Sequence, residues 1–384
     1  MKISLLTDGI FPYVIGGMQK HSYYLVKYFA QRDVYVDLYH TNQSKLDITK
    51  HELFSEEEKK FIRSFVIPFP KAGKLPGHYI KASFAYSKAV FEQFKMQEPS
   101  DFIYAKGFSA WKLIEEKKKG FNCAPIGVNF HGYEMFQKQP NFKSFLAAKF
   151  LFQKPVLFNV NYADFVFSYG GKIDDLIKSI GVPAKKIISI PTGIEDSWLI
   201  HEPSINSTQK TKFLFVGRFE RRKGVEELKK GLLLLKDNLN FEFHFVGPIP
   251  EANKLKLPHV FYLGSITDAE IMKAKVKEMD VLVCPSHSEG MPNVIMEAMA
   301  SGLAVIATDV GAVKLMVGES NGVLLQSSNP TEIASAIEKL SKLDKNILQQ
   351  LKLSSIEKVK NNFLWTKVID ETILKIKTCI AKKN

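Results

Sequence analysis

The sequence is poor in cysteine, and the few it has are scattered. Cys123, Cys284 and Cys379 are the only three in 384 residues. No CxxC or CxxH spacing links them, so neither a disulfide framework nor a structural zinc site is expected, and a reducing cytosol is the natural compartment. No apolar run approaches the roughly 20 residues of a membrane-spanning helix. The opening Ile3-Ser4-Leu5-Leu6 meets Asp8 too early for a secretory signal and reads as a first β-strand. No G-x-G-x-x-G follows a strand, which disfavours an NAD oxidoreductase. No Asp-x-Asp pair offers a metal site. No RRM-like set, helix-turn-helix or paired Cys/His spacing supports nucleic-acid binding.

What is present is an ordinary globular composition, 45% hydrophobic and 24% charged, with a basic surplus. Lys+Arg number 53 against 40 Asp+Glu, giving +13 and a pI near 9.3. Such a surplus suits an anionic membrane face or phosphate-bearing small molecules, besides the plain reading of a lysine-rich solvated surface.

Short runs of Val, Ile, Leu and Phe alternate with amphipathic helical stretches, the pattern of an α/β protein with parallel sheets covered by helices. Candidate strands in the first half are Lys2–Thr7, Val34–Tyr39, Phe102–Tyr104, Ile126–Phe130, Phe165–Phe167 and Ile187–Ile190. A polar stretch at 201–210 has linker composition, and the alternation restarts at Phe213–Val216. The expected organisation is an N-terminal domain over 1–200, a linker at 201–210 and a C-terminal domain over 211–362. A terminal helix over 363–384 completes it, with a start near Leu364-Trp365.

Ligands of open α/β sheets bind beyond the carboxyl ends of the strands. Two such loops stand out. Pro285-Ser286-His287-Ser288-Glu289-Gly290-Met291-Pro292-Asn293-Val294 joins a strand to a helix that carries Glu297. Free N–H groups around Gly290–Val294 and the positive end of the helix suit a phosphate, and two carboxylates suit vicinal diols. The second loop, Gly217-Arg218-Phe219-Glu220-Arg221-Arg222-Lys223-Gly224, gives close backbone approach at Gly217 and a cationic pair, Arg218 and Lys223, for a diphosphate. Arg221 and Arg222 read as a solvated basic turn.

These residues resemble the signature of glycosyltransferase family 4. Glu289-x7-Glu297 lies inside Pro-Ser-x-x-Glu-Gly-Met-Pro-Asn-x-x-x-Glu-Ala-Met-Ala-x-Gly. Gly217-Arg218 with Lys223-Gly224 matches the family's diphosphate loop, Gly16-Gly17 its early glycine pair, and His131-Gly132 its N-domain histidine. Ile190-Pro191-Thr192-Gly193-Ile194-Glu195 matches the run before its interdomain linker. The resemblance implies the GT-B fold: two Rossmann-like doubly wound domains facing each other across a cleft, with the C-terminal helix returning to the N-terminal domain.

It also implies a retaining, metal-independent hexosyl- or N-acetylhexosaminyl-transferase working in cell-surface polysaccharide synthesis. Its co-substrate is a nucleotide sugar, UDP-sugar favoured over GDP-sugar, with no further cofactor, and its acceptor is a glycan or lipid-linked molecule. In that frame Glu289 binds the donor sugar's hydroxyls, assisted by backbone at Gly290, Met291, Asn293 and Val294. Glu297 holds the ribose, Arg218 and Lys223 neutralise the diphosphate, and Gly16 and Gly17 approach the phosphates. His131 sits near the sugar, and Pro248, Tyr262 and Gly264 lie against the base. A non-hydrolysing nucleotide-sugar epimerase and an inactive nucleotide-sugar-binding subunit remain as alternatives.

The sequence departs from the family at Ala304 (commonly proline), at Arg32-Asp33 (commonly Gly-His) and at Leu315 (commonly acidic), the last putting the local loop geometry in question. Lys138–Lys154 and Lys71–Lys95 interleave lysines with aromatics. Each is read two ways: as a surface resting on the anionic inner face of the plasma membrane, or as helices packing on the N-terminal sheet.

Overall fold

A computed structural model of the chain describes residues 1–14, 16–42, 52–70, 73, 76–137, 142–203 and 210–382. They form two compact units. The first comprises Met1–Tyr169, Ile173–Thr192 and Trp365–Asn384; the second comprises Gly170–Lys172 and Gly193–Leu364.

The first unit is built on β1 (Lys2–Leu6), β2 (Tyr35–His40), β3 (Ile62–Val66), β4 (Phe102–Lys106), β5 (Ile126–Asn129), β6 (Phe165–Ser168) and β7 (Ile187–Ser189). They lie in the order β3-β2-β1-β4-β5-β6-β7, every pair parallel. Parallel strands covered on both faces are mostly apolar, and all five residues of β4 are buried, its final Lys106 included. The strand order reverses between β1 and β4, the position where such sheets open a crevice.

The edge strand β3 has no counterpart among the candidate strands. It is only half-buried, and its Arg63 is there to grip the buried Asp37 of β2 through a bidentate pair at 2.8 and 2.7 Å. A charged residue inside a short strand hides the apolar signal.

The C-terminal helix Trp365–Ala381 belongs to this first unit. Its Trp365, Val368, Ile369 and Ile376 share a core with Leu25, Val26 and Phe29 of the helix Gly17–Ala30. Trp365 stacks on Tyr28 at 5.8 Å, and Arg32 pairs with Asp370 at 2.7 Å. The Arg32-Asp33 departure thus has a local purpose. Arg32 ties the terminal helix down, while Asp33 takes the left-handed position of the turn at φ 54°, which aspartate tolerates better than most residues.

The second unit holds β8 (Thr211–Val216), β9 (Phe241–Val246), β10 (Val260–Tyr262), β11 (Val281–Cys284), β12 (Ala304–Thr308) and β13 (Gly322–Leu325). Their order is β10-β9-β8-β11-β12-β13, again all parallel. Phe213, Phe241, Phe243 and Phe245 fill its core beside Ile306 and Ile333. Ala304 is alanine for a visible reason: its N–H donates to the Asp280 carbonyl at 2.9 Å, a bond that proline lacks.

The division between units falls at Thr192/Gly193, ahead of the stretch 201–210 read as the linker. Residues leading into that stretch are already bound to the second unit. Ile200 N–H donates to Ala300 O at 3.0 Å, and Gly302, at φ +74°, leaves room for Ile200 and Pro203. Residues 204–209 of the stretch lie outside the described residues. At the other end, Phe363 and Leu364 stay with the second unit rather than opening the returning helix, because the Phe363 carbonyl accepts Ile194 N–H at 2.8 Å.

Candidate active site

In the second unit the strand order reverses between β8 and β11, and the two loops singled out from the sequence leave those two strands. Gly217 follows β8 and opens the basic turn; Pro285–Gly290 follows β11. Two backbone contacts fasten the loops together. His287 N–H donates to Arg222 O at 2.7 Å. Gly224, left-handed at φ +69°, lies so close to Pro285 that an added Cβ would sit 1.9 Å from its carbonyl oxygen. Only glycine fits there, and this close approach brings Lys223 to Glu289.

The pair is tight and largely out of water. Lys223 Nζ donates to Glu289 Oε1 at 2.5 Å, with side-chain exposures of 17% and 9%. Ser286 Oγ donates to the same oxygen at 2.8 Å, and Arg222 Nη1 stands 3.6 Å from Glu289 Oε2. The Glu289 charge helps burial push the adjacent Cys284 thiol up to about 11, burial being the larger cause. Behind the loop, Thr308 Oγ donates to Ser286 O at 2.6 Å, and Ser328 Oγ to Pro285 O at 2.6 Å.

The main chain of Glu289 and Gly290 is clamped from the β12 side. Gly311, at φ +57°, packs where a Cβ would meet both their carbonyl oxygens at 2.3 Å, and Ala312 N–H donates to Gly290 O at 2.8 Å. The loop question raised by Leu315 is answered here: the clamp is glycine and backbone, with no acidic side chain, and Leu315 is 41% exposed.

Met291 is buried. Pro292 leads into the helix Asn293–Ala300, whose N-terminus carries no side-chain cap. The first-turn N–H groups of Asn293 and Val294 thus carry the positive end of the helix dipole beside the Glu289 loop. Glu297 is partly buried on this helix.

Arg218 is placed differently from Lys223. Its side chain is 70% exposed and bonded through Nε to Glu220 at 3.0 Å. Arg221 and Arg222 are solvent-exposed, at 52% and 40%, and each is also paired with a carboxylate. Arg221 binds Glu227 and His287 at 2.6 Å, and Arg222 binds Glu220 at 2.9 Å while its Nη1 approaches Glu289. Pro248 and Gly264 are exposed, and their loops join where Gly247 N–H donates to Gly264 O at 2.8 Å. The Tyr262 ring stacks on Phe245 at 4.9 Å, and its hydroxyl accepts Leu255 N–H at 2.8 Å.

In the first unit Gly16 precedes the helix Gly17–Ala30, which also starts without a side-chain cap, and an added Cβ on Gly17 would meet nothing within 4 Å. The neighbouring Asp8 is hydrogen-bonded by Gln19 at 2.9 Å, and burial raises its pKa to about 6. His131 follows β5 and meets Tyr169 Oη at 2.6 Å and Lys106 Nζ at 3.3 Å. Lys106, His21 and Tyr169 are absent from the residues the sequence pointed to, while Ser286 and Arg222 lie in the two loops singled out without a site role of their own.

The two aromatic stretches part company. In Lys71–Lys95, the helix His78–Phe94 buries Tyr86, Val90, Phe91 and Phe94, whereas residues 71, 72, 74 and 75 lie outside the described residues. Lys138–Lys154 leaves 138–141 outside them as well. From Phe142 onward it is helical and presents Phe142 at 73% and Phe150 at 64% exposure, with Phe145 and Leu146 also exposed. Lys149 Nζ lies 5.7 Å from the Phe145 ring. Among the described residues no helix is long and apolar enough to cross a membrane.

Comparison with known proteins reaches both units. The family described as Glycosyltransferase Family 4 matches residues 15–198, and Glycosyl transferases group 1 matches 210–342. The putative teichuronic acid biosynthesis glycosyltransferase TuaC of Bacillus subtilis is 25% identical over 82% of this chain and 63% of its own length. The N,N'-diacetylbacillosaminyl-diphospho-undecaprenol alpha-1,3-N-acetylgalactosaminyltransferase of Campylobacter jejuni is 29% identical over 48% of this chain and 50% of its own. The chain therefore spans about half to two thirds of these relatives.

Among solved structures, sucrose-phosphate synthase from Thermosynechococcus elongatus aligns over 99% of both chains with TM-score 0.77 at 18% identity. Anabaena Alr3699/HepE in complex with UDP-glucose aligns over 98% of this chain and 100% of its own, with TM-score 0.64 at 16% identity. Two parallel Rossmann-like sheets, with a Glycosyltransferase Family 4 match over the first unit and a Glycosyl transferases group 1 match over the second, support a GT-B glycosyltransferase of the family 4 and group 1 type.

Proposed function

We propose that this protein is a retaining glycosyltransferase that moves a hexosyl or N-acetylhexosaminyl group from a nucleoside-diphosphate sugar to a hydroxyl of a glycan or lipid-linked acceptor, in the synthesis of a cell-surface polysaccharide. The observation that carries the reading is the Lys223–Glu289 pair at the switch point of the second sheet, backed by Ser286 and Arg222. Glu289 is a fixed acceptor for sugar hydroxyls. Lys223, with Arg218 on the same turn, supplies the positive charge for a diphosphate, and the uncapped helix at Asn293 adds N–H donors. The pair holds both side chains in place before the donor arrives, the preorganisation that electrostatic catalysis requires.

In the reaction the bond from the anomeric carbon to the diphosphate oxygen breaks through an oxocarbenium-like state. The acceptor oxygen bonds to the same face, and its proton passes to the departing phosphate oxygen. Lys223 and Arg218 stabilise the negative charge on the leaving nucleoside diphosphate, so the scheme needs no metal. A UDP-sugar is the favoured donor, in line with the UDP-glucose named for the Anabaena structure. The names of the Bacillus and Campylobacter relatives support a surface-polymer or lipid-linked acceptor.

A thermal-shift panel of UDP-, GDP- and ADP-sugars tests the donor. The matching nucleotide at about 100 times its Kd is expected to stabilise by about 2.7 kcal/mol, a rise of about 5–10 °C for a domain of this size. If no nucleotide sugar moves the transition, the reading is wrong. Incubation of the matching donor without acceptor distinguishes epimerisation, which would appear as a new sugar in the NMR spectrum.

The same reading seats the protein peripherally on the cytoplasmic face of the membrane through Phe142, Phe145, Leu146 and Phe150. Two phenylalanines released from such a surface lose at least about 2 kcal/mol of transfer energy. The double variant Phe142→Ser/Phe150→Ser is therefore expected to sediment with anionic phosphatidylglycerol vesicles at least about tenfold less than the unmodified protein. Equal sedimentation would remove the membrane from the proposal.

A further inference from the structure

The last residue of β4 is a lysine with no exposure at all. Lys106 Nζ lies 2.8 Å from His21 Nδ1, 3.1 Å from Asn129 Oδ1 and 3.3 Å from His131 Nε2, and 5.0 Å from the Tyr104 ring centroid. His131 Nδ1 in turn meets Tyr169 Oη at 2.6 Å. The groups facing the cluster are His21 from the helix Gly17–Ala30, Asn129 at the end of β5, His131 just beyond it and Tyr169 after β6. Trp365 of the C-terminal helix closes the far side, its ring 5.1 Å from His21. Among the described residues no carboxylate pairs with Lys106. A lysine buried without a counter-ion is costly, and general stability gives no reason to keep one at the carboxyl edge of the sheet's switch strand.

We propose that Lys106 is a positioning residue for sugar transfer, holding His131 in one orientation and one tautomer from behind while Tyr169 holds it from the side. The proposal rests on the transferase reading above and extends it to a residue outside the donor-binding loops. An ammonium group has three N–H donors, and this site offers three acceptors: His21 Nδ1, Asn129 Oδ1 and His131 Nε2. Asn129 is oriented by its Nδ2, which donates to Phe167 O at 3.4 Å. With Nε2 of His131 accepting from Lys106, the proposal puts the ring proton on Nδ1, facing the Tyr169 oxygen, which lies 2.6 Å from Nδ1 and 3.3 Å from Nε2.

Burial draws the Lys106 amine well below the ordinary lysine range, while the three acceptors around Nζ favour its protonated form. His131 and His21 stay neutral, both held well below the usual histidine value, by burial first and by the Lys106 charge second. The partly exposed ring of His131 is then a neutral, fixed surface for a sugar hydroxyl, and it neither donates a proton to the reaction nor swings away.

The test begins with the unmodified protein, labelled with 15N-histidine and assigned through His131→Gln. The expected spectrum at pH 7 shows His131 neutral and in the Nδ1–H form, the minor tautomer of free histidine. An Nε2–H ring, or a His131 that titrates at or above 6.5, overturns the proposal without recourse to any lysine variant. In Lys106→Met, His131 is expected to pass to the Nε2–H form and to titrate about one pH unit higher. Transfer is expected to fall about 10–100-fold in kcat with donor KM within about threefold, the usual scale for a residue that orients another.

Lys106→Gln keeps a donor to Nε2 and is expected to restore most of both readouts. It also serves as the measured variant if the methionine form fails to fold. An unchanged His131 spectrum in the variants overturns the positioning role even if activity falls. If the unmodified protein transfers no sugar while the spectra behave as described, it is the transferase reading that fails.

Discussion

Replacing Lys223 by alanine is expected to lower sugar transfer by about a thousandfold, with the fold intact. The amine is the best-buried cation on the turn after β8, with its side chain 17% exposed against 70% for Arg218 and 40% for Arg222. A preorganised donor aimed at developing charge in a water-poor site contributes about 10²–10³ in rate. Alanine removes that donor and also leaves Glu289 with Ser286 and the 3.6 Å approach of Arg222 in place of a 2.5 Å charged partner.

Two companions locate the effect. Lys223→Arg keeps the charge but spreads it over a planar fork that does not suit a single-point contact, so it should retain a small fraction of turnover. Glu289→Gln keeps the shape of the sugar-facing group but removes its charge, and should raise donor KM as well as lower kcat. Far-ultraviolet circular dichroism and the thermal transition check the fold. Near-normal turnover in Lys223→Ala would show that the diphosphate is neutralised elsewhere.

The parts of this site legible in the sequence are those written in strand ends. A buried apolar run followed by glycine and cations, and another followed by Pro-Ser and a glutamate before a helix, locate β8, β11 and their loops with few residues of error. What was not legible depends on how consecutive residues fan out. Arg221, Arg222 and Lys223 form one turn of 3-10 helix, whose three-residue period sends three neighbouring side chains in three directions. One goes to Glu227, one to Glu220 and one to Glu289. A linear reading sees the first two as solvated but not their carboxylate partners.

Ser286 carries no signal among neighbouring polar residues, and its role appears only when Thr308 fixes its carbonyl from the next strand. Lys106 was missed for a related reason. The apolar run Phe102–Tyr104 reads as a complete strand, and a lysine just beyond a strand end ordinarily reaches for water. Here β5, β6 and the C-terminal helix close over it, and all three are remote in sequence.

The largest loss of stability from one substitution is expected at Lys352. This lysine lies on the helix Lys345–Asn362 and donates to Asp280 Oδ1 at 2.9 Å, with side-chain exposures of only 3% and 4%. The other carboxylate oxygen of Asp280 accepts Lys212 N–H at 3.0 Å, and its carbonyl accepts Ala304 N–H at 2.9 Å. One aspartate therefore ties together the starts of β8, β11 and β12, the strands whose far ends carry the basic turn, Glu289 and its glycine clamp. Lys352→Met leaves the carboxylate buried beside a thioether. Breaking a buried pair in this way costs about 3–5 kcal/mol, chiefly the price of the stranded charge. For a unit of this size that is a fall of about 6–20 °C in Tm. The double variant Lys352→Met/Asp280→Asn removes the charge while keeping an acceptor for Lys212, and it should recover at least half of the loss, because a buried ion pair is itself expensive to desolvate. Urea unfolding of the single and double variants measures both quantities. A single-variant loss below about 1 kcal/mol would mean that water reaches Asp280 and screens it, and a double variant no better than the single would mean that packing by the lysine stem, not charge, is what Lys352 supplies.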